Sequence, residues 1–372
     1  MVISRTEYEK RENLWLAPFA VRSSESKGRQ YREKEHEYRT VFQRDRDRIV
    51  YSTAFRRLEY KTQVFVNHEG DHYRTRLTHT LETTQIARTI GRALGFNEDL
   101  IEAIALAHDL GHGPFGHAGQ WALQSLMKHH GGFEHNRQCL RIVEELEDSY
   151  AQFPGLNLTV EVREGLKKHE KKSFYSLEAQ VVDLSDEIAY DSHDLDDGLR
   201  AGYLTEKDLE KLAVWKEISG YLKKKGYFVH DPTGKRAAIR LLINRQVNDL
   251  LEVSQKNLRK LKTEKPDAVR SRASEIIKFS PKMTLEKREL KKFLHSELYN
   301  HYRVVRMTDK GQRFIKELFQ VYLAKPKQLS PNVRKRLDRD PLERVICDYI
   351  AGMTDRFALD EYKRLFEPYE RV

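Results

Sequence analysis

The stretch RTRLTHTLETTQIARTIGRALGFNEDLIEAIALAHDLGHGPFGH, residues 74–117, decides the fold that we predict for this chain. From Thr78, a suitable helix cap, positions 79, 83, 86, 87, 90 and 94 share one face of a helix. The apolar or small residues on that face are Ile86, Ala87, Ile90 and Leu94. His79 therefore points the same way as the core.

A second helix is expected to start near Asn97, because asparagine is a good cap and acidic residues follow it. Its inner face ends at His108, and Asp109 comes directly after. Gly111 and Gly113 should then end the helix. A second histidine thus closes an inward stripe.

These histidines have two interpretations. A single inward histidine is more often a core residue hydrogen-bonded to a carboxylate than a ligand. The clustering of His79 with the His108-Asp109 pair favours a metal site. Imidazole is the commonest biological metal ligand, and carboxylate adds the negative charge that a divalent ion needs. A further ligand is expected from elsewhere in the chain.

The stretch SLEAQVVDLSDEIAYDSHDLDDGL, residues 176–199, offers that ligand. One helical face carries Asp183, Asp186, Glu187, Tyr190 and Asp194. A solvated acidic face is the simplest interpretation of such a stripe. Tyr190 in its middle and apolar residues on the opposite side instead favour a helix buried on both sides, where carboxylates require a cation.

The order of these residues resembles a known family. His79, the pair His108-Asp109 and then Asp186 look like the H…HD…D metal signature of HD-domain phosphohydrolases. A closer resemblance is to the bacterial dGTPase-like deoxynucleoside triphosphate triphosphohydrolases. It rests on RDRDRIVYSTAFRRLEYKTQVF, THTLE, AHDLGHGPFGHAG, FEHN, EAQVVDLSDEIAYDSHDLDDGL and DYIAGMTDRFA, which run from residue 44 to residue 358. The pair alone is a weak signature, but the ordered set is a specific one.

The resemblance implies a mainly α, HD-domain helical fold. Alternation in VFV and YRT around a polar turn adds a small β-hairpin near residues 64–75. The expected parts are a basic N-terminal arm (1–40), an HD catalytic core (41–200) and a helical C-terminal part packed on that core (201–372).

The resemblance also implies the cofactor and the reaction. The expected ligands of one divalent ion are His79, His108, Asp109 and Asp186. Ligand softness does not choose among Mn, Mg, Fe, Zn, Ni and Co, and a Mg²⁺ ion is expected to accompany the nucleotide. The implied reaction converts a dNTP to a deoxynucleoside and triphosphate.

Catalytic roles follow from the same resemblance. His117 matches the general acid that protonates the leaving 5′-oxygen, and His112 and His135 match histidines that contact phosphate or support the attack. Gln120 stands where the family usually has an acid that would orient His117. The alternative for His112 and His117 is that both are surface side chains of a glycine-rich turn.

Substrate contacts are implied in the same way. Arg76 and Tyr190 match phosphate contacts, although a structural salt bridge is the alternative for Arg76. Asp194 and Gln63 match contacts to the sugar 3′-hydroxyl. Val64 is placed to crowd a 2′-hydroxyl and so to disfavour ribonucleotides.

The composition of the chain bears on its partner, its compartment and membrane segments. The chain has 372 residues, 39% hydrophobic residues and a net charge of +10, which favours a polyanionic partner. With two cysteines a disulfide framework is not indicated, so a reducing cytoplasm is expected. No apolar leader or membrane-length apolar window is found in the sequence.

Two other functions stay open at this point. One is a different HD phosphohydrolase, such as a nucleotidase or phosphodiesterase. The other is a nucleotide-sensing or single-stranded-DNA-binding protein with weakened catalysis, which Gln120 and the positive charge motivate. The expected partners are a dNTP substrate, a dNTP effector, single-stranded nucleic acid and further copies of the chain in a homo-oligomer, with no membrane.

Overall fold

The structure is a computed structural model that describes residues 2–64, 73–167, 176–261, 269 and 272–371. It is mainly helical, as predicted. The helices are α1 Arg5–Trp15, α2 Val41–Tyr51, α3 Thr53–Arg57, α4 Arg76–Leu94, α5 Glu98–Ala107, α6 Gly116–Leu126, α7 His135–Arg141, α8 Val160–Leu166, α9 Leu177–Arg200, α10 Glu206–Leu209, α11 Ala213–Lys224, α12 Pro232–Leu258, α13 Ala273–Ile276, α14 Pro281–Phe293, α15 Tyr302–Ala324, α16 Pro331–Arg334, α17 Leu342–Ala351 and α18 Asp355–Phe366. Wide π turns extend α7 over Ile142–Leu146 and α14 over Leu294–Tyr299.

The hairpin expected near residues 64–75 is not supported. Within the described ranges there is no β-strand, and an isolated antiparallel bridge joins Thr62 to Thr75. Residues 65–72, which would form most of the hairpin, lie outside the described residues. Alternating residues over so short a segment do not by themselves specify a paired ladder, because a two-stranded hairpin is marginal in water.

The start of α4 differs from the prediction, whereas the start of α5 agrees. Helix α4 begins at Arg76, since Thr75 and Thr78 cap each other: Thr78 N donates to Thr75 Oγ1 at 3.3 Å and Thr75 N donates to Thr78 Oγ1 at 3.0 Å. At α5, Leu100 N donates to Asn97 Oδ1 at 3.2 Å, as expected of an asparagine cap.

The described residues fall into two compact units built from interleaved segments. The first unit comprises residues 1–48, 79–106 and 158–301, and the second comprises 49–78, 107–157 and 302–372. The predicted parts 1–40, 41–200 and 201–372 stay a prediction. The segment expected to be a basic arm belongs to the first unit, where Glu12 is buried and accepts from Ser23 N at 2.8 Å.

The first unit is organised around α9. This helix packs against α8, α12, α13, α14 and the π turn that follows α14. Ser176 caps it by accepting from Ala179 N at 3.1 Å. Apolar and acidic side chains of α9 are buried together, so its neighbours must provide partners for the carboxylates.

The second unit is organised around α15, which packs against α6, α17 and α18. Its core includes Phe115, Leu123, Ile315, Phe319 and Ile350. Phe115 extends this core to the end of the glycine-rich turn, so the turn that carries the predicted catalytic histidines is anchored in apolar packing.

Candidate active site

One histidine–aspartate pair lies in the first unit. His79, 1% exposed, sits in the first turn of α4, and its Nε2 lies 3.1 Å from Asp186 Oδ1 on α9. The prediction that His79 points inward is therefore confirmed. Its Nδ1 lies 3.1 Å from Nδ1 of His193, which is also on α9. The imidazole is thus held on both of its nitrogen atoms.

The acidic residues of α9 have buried partners. Lys287, 4% exposed, donates from Nζ to Asp191 Oδ2 at 2.7 Å and to Gln246 Oε1 at 2.8 Å. This lysine is a cation of the kind that the buried acidic helix required. The prediction of a helix buried on both sides is confirmed for most of α9.

Asp194 lies in a different environment on the same helix. Tyr299 donates its hydroxyl hydrogen bond to Asp194 Oδ2, and the two hydroxyl groups of Tyr299 and Tyr190 lie 2.9 Å apart. Burial holds the pKa of Asp194 well above its usual range, and this outweighs the hydrogen bond from Tyr299. Asp194 Oδ1 is buried and has no hydrogen-bond partner among the described residues.

A second histidine–aspartate pair lies in the second unit. His108 Nε2 is 3.4 Å from Asp109 Oδ1, and both residues are buried. The other oxygen of Asp109 accepts from Arg76 Nη1 at 3.0 Å. Burial raises the pKa of Asp109, but the positive charges of His108 and Arg76 outweigh it and leave the pKa well below its usual range.

The turn after this pair is fixed by its backbone. Phe115 has a φ of 59° and Gly116 a φ of 56°, both in the left-handed region. A Cβ at Gly116 would lie 3.2 Å from the carbonyl oxygen of Gln63, so glycine serves both the φ and the close approach. The turn of residues 111–117 is therefore held against the segment that contains Gln63.

Two buried charged residues hold this turn. Asp355 Oδ1 accepts from Phe115 N at 2.8 Å, and its Oδ2 accepts from Thr62 N at 2.9 Å and from the Thr62 hydroxyl. Lys61 Nζ donates to the carbonyl oxygen of His112 and, at 3.0 Å, to that of Ala351. Burial, and next the nearby Arg57, lower the pKa of Lys61 to about 7.

Three predicted catalytic histidines lie together in the second unit. The rings of His112 and His135 are 4.0 Å apart, and those of His112 and His117 are 6.5 Å apart. His117 is exposed as a residue, and its ring stacks on Trp121 with an angle of 22° between the planes. Surrounding protein atoms, then the charges of Arg76 and His135, lower the pKa of His117 to about 4.

Gln120 makes a different contact from the one expected. Its Oε1 accepts a hydrogen bond from His135 Nδ1 at 2.8 Å, and this is the hydrogen bond that the structure gives its side chain. Residues 117 and 120 are three apart on α6, and the His117 ring stacks on Trp121. Gln120 therefore orients His135.

Gln63 and Val64, which were predicted to contact the sugar, both lie within the described residues. Gln63 is 5% exposed, and its Oε1 has no hydrogen-bond partner within the described ranges. Val64 is half-buried and is the last described residue before the gap at 65–72. Arg76 Nε is likewise buried and unpartnered among the residues described. The second unit thus keeps an unused acceptor and an unused donor.

Comparison with protein families gives two matches. The HD domain matches residues 76–191, the range that contains His79, the His108-Asp109 pair and Asp186. A phosphohydrolase-associated domain matches residues 277–364, which includes Tyr299 and Asp355.

Curated relatives match over nearly the whole chain. A deoxyguanosinetriphosphate triphosphohydrolase-like protein of Geobacter metallireducens is 48% identical over 371 residues, which is 96% of each chain. Proteins with the same name from Bordetella pertussis and Thiobacillus denitrificans are 49% and 48% identical over 95% and 94% of this chain, and over 96% and 97% of theirs.

The chain belongs to the deoxyguanosinetriphosphate triphosphohydrolase-like family. As a member of this family it is an HD-domain phosphohydrolase, and the predicted resemblance is confirmed. None of the helices in the described part of the chain has the length and apolar character needed to cross a membrane.

Sequence reasoning about this family member missed four residues. His193, Lys61 and Tyr299 contact predicted site residues. Asp355 instead accepts from Phe115 and from Thr62, the residue before the predicted Gln63. The signal for His193 was present, because it lies seven residues after Asp186 on the same helical face. Lys61 and Asp355 act through backbone groups of distant residues, which leave no periodic pattern in the sequence.

Proposed function

We propose that this chain hydrolyses deoxynucleoside triphosphates to a deoxynucleoside and inorganic triphosphate, with His79, His108, Asp109 and Asp186 holding one divalent metal ion. The observation that carries the proposal is the repeated pairing of a histidine Nε2 with an aspartate Oδ1, once in each unit, in a chain of this family. The pairs are 3.1 Å and 3.4 Å apart.

The donor chemistry fits a divalent ion. Two atoms that each lie about 2.1 Å from one ion, at an octahedral or tetrahedral angle, are about 3.0–3.4 Å from each other. Both pairs fall in that range. Two imidazoles and two carboxylates are compatible with Mn, Fe, Co, Ni, Zn or Mg, so the donors do not select the metal.

A bound divalent ion supplies polarisation of a phosphoryl oxygen and a water of lowered pKa. The side chains provide the remaining chemistry. Arg76 holds Asp109 through Nη1 and keeps Nε unused, so Nε is available to donate to a phosphate oxygen. Tyr190 offers a hydroxyl group for a further phosphate contact.

The reaction needs a proton donor. Water attacks the α-phosphorus and the bond from phosphorus to the 5′-oxygen breaks, so that oxygen must take up a proton. His117 is accessible and next to His112 in the second unit, which suits it for this role. A bound triphosphate is strongly negative and raises the pKa of the imidazole from about 4 toward the working pH.

Two unused acceptors support recognition of the sugar. Asp194 Oδ1 and Gln63 Oε1 are both buried and without a partner in the part of the chain that the structure describes. A 3′-hydroxyl is a donor that would satisfy such an oxygen, and leaving it unsatisfied costs about 1–3 kcal/mol. Val64 is the proposed steric barrier to a 2′-hydroxyl.

Further partners belong to the proposal. The net charge of +10 favours polyanions, so dNTP effectors and single-stranded nucleic acid are proposed ligands. A homo-oligomer and a cytoplasmic location, where dNTPs are available, complete the proposal.

Product chromatography tests the reaction. Each dNTP is incubated with Mn²⁺ or Mg²⁺, and the expected products are the deoxynucleoside and intact triphosphate. Release of orthophosphate instead would identify another HD phosphohydrolase activity. GTP in parallel with dGTP tests the sugar contacts, because equal kcat/KM values for the two would contradict them.

A further inference from the structure

His193 joins a proposed metal ligand to a carboxylate. Its Nδ1 lies 3.1 Å from His79 Nδ1, and its Nε2 lies 2.9 Å from Glu82 Oε2. The two imidazole rings are nearly perpendicular, with their planes at 89°. His193 is 2% exposed, so both of its nitrogen atoms depend on these neighbours for hydrogen bonding.

The hydrogen positions on the two imidazole rings follow from the groups that they contact, beginning with the carboxylate of Glu82. An ionised carboxylate only accepts hydrogen bonds, so the hydrogen of a neutral His193 lies on Nε2 and points to Glu82. Its Nδ1 then has only a lone pair. With His193 neutral, the hydrogen in the contact between the two Nδ1 atoms comes from His79.

This assignment leaves a lone pair on His79 Nε2, which faces Asp186 Oδ1 at 3.1 Å. Thr83 Oγ1 lies 3.5 Å from the same nitrogen atom. A cation between the lone pair and the carboxylate oxygen would stabilise their close approach. The tautomer set by His193 is therefore the one in which His79 and Asp186 together attract a metal ion. A hydrogen on Nε2 would instead block this ligand atom.

The arrangement is encoded by spacing on two helices of the first unit. His79 and Glu82 are three residues apart on α4, and Asp186 and His193 are seven apart on α9. Residues three and seven apart lie on one helical face. Each helix thus contributes one proposed ligand and one supporting residue.

We propose that His193 and Glu82 are positioning residues that fix His79 in the tautomer able to bind the metal through Nε2. This inference rests on the metal binding in the proposed function. Support of this kind through the other ring nitrogen typically changes metal affinity by about 10–100-fold when it is removed.

The test measures Zn²⁺ affinity by competition with a chromophoric chelator, using the full chain. His193→Phe keeps a planar aromatic ring but removes the acceptor for His79, and about 10–100-fold weaker Zn²⁺ binding is expected. Glu82→Leu should weaken binding in the same direction. Glu82→Gln should restore most of the affinity, because its amide oxygen still accepts from Nε2.

A matched control is Thr84→Val. Thr84 is buried on α4 and its hydroxyl donates to the Thr80 carbonyl, so the change perturbs α4 packing and leaves His193 in place. Unchanged Zn²⁺ affinity is expected. The metal-free melting temperature of each variant separates loss of fold from loss of affinity.

The outcomes distinguish the two proposals. Absence of Zn²⁺ binding by the wild-type chain would remove the metal site itself. Wild-type affinity in His193→Phe would overturn the positioning role and leave the metal proposal standing. If His193→Phe does not fold, ¹⁵N shifts of the histidines in the metal-free wild type decide: hydrogen on His79 Nδ1 is expected, and hydrogen on Nε2 would refute the assignment.

Discussion

The two histidine–aspartate pairs have the same donor atoms but are held in different ways. In the first unit, His79 and Asp186 come from separate helices, and His79 is oriented by the imidazole of His193. In the second unit, His108 and Asp109 are consecutive residues, and Asp109 is bonded to the buried guanidinium of Arg76. The first pair is held by a hydrogen bond whose direction sets which nitrogen atom of His79 is free of hydrogen. The second pair is held by the positive charge of Arg76.

Because of this difference, the two aspartates should contribute alike to metal binding but differently to the stability of the fold. Arg76 balances the charge of Asp109 whether or not a metal ion is bound, so Asp109 also has a structural role. Asp186 is about a quarter exposed, so water solvates its charge in part. Removal of the two carboxylates should therefore have the same effect on the chemistry but different effects on stability.

The largest expected effect comes from Asp109→Ala and Asp186→Ala. Both should lose the metal and all turnover, as measured by elemental analysis and product release. Asp109→Ala should also lose about 3–5 kcal/mol of unfolding free energy, because Arg76 becomes an unpaired buried charge. Asp186→Ala should stay near the wild-type stability in the metal-free state.

Full metal occupancy in Asp109→Ala would show that Asp109 is not a ligand. Equal loss of stability in the two variants would break the comparison between the pairs. Chemical denaturation of metal-free samples is the suitable measurement, since bound metal itself stabilises the native state.

The next effect concerns catalysis in the second unit. His117→Ala should lower kcat by about 10²–10⁴ while the metal content stays normal. Because a bound triphosphate raises the pKa above the value of about 4 in the free protein, the wild-type kcat should fall as pH rises through that higher pKa. This basic limb should be absent in the variant. An unchanged kcat would make His112 or His135 the candidate acid.

A smaller effect is expected at Asp355, which holds the turn through backbone groups. Asp355→Asn replaces one accepting oxygen with a donor, so the bonds to Phe115 N and Thr62 cannot all be kept. A loss of about 10² in kcat is expected from misplacement of the turn. Asp360→Asn, on the same helix and more exposed, is the control. Normal kcat in Asp355→Asn would show that the turn holds its shape without this bond.

The smallest effect is expected at Gln120. Gln120→Glu places a carboxylate beside His135 Nδ1, which favours the protonated imidazole and raises the pKa of His135. The pH–rate profile should shift slightly upward if His135 contacts substrate, and the His117 limb should stay in place. Titration of the histidines by NMR checks which ring responds. A shift confined to His117 would contradict the observed contact.

The sequence predicted the parts of this site that depend on local spacing. His79, His108 and the buried faces of α4 and α9 follow from a helical period of 3.6 residues, and Asn97 was recognised as a cap from its side chain. The family resemblance added roles for Arg76 and Tyr190, which remain proposals.

The sequence did not predict contacts made across long chain separations. Gln120 was assigned to His117 because the resembled family usually has an acid at that position that would orient His117, but its partner His135 lies fifteen residues away. Lys61 and Asp355 bind mainly backbone groups, and almost any residue type can supply such a group. Their partners could be identified only after the fold had brought these segments together.

The bond from Phe115 to Asp355 also affects the order of events during synthesis. Asp355 is encoded 240 residues after Phe115. At about 5–20 residues per second, translation of that interval takes about 12–48 s. During this time a nascent chain already contains the glycine-rich turn but lacks the carboxylate that holds it. A ribosome-bound chain should therefore lack this hold on the turn until synthesis of its last helix begins.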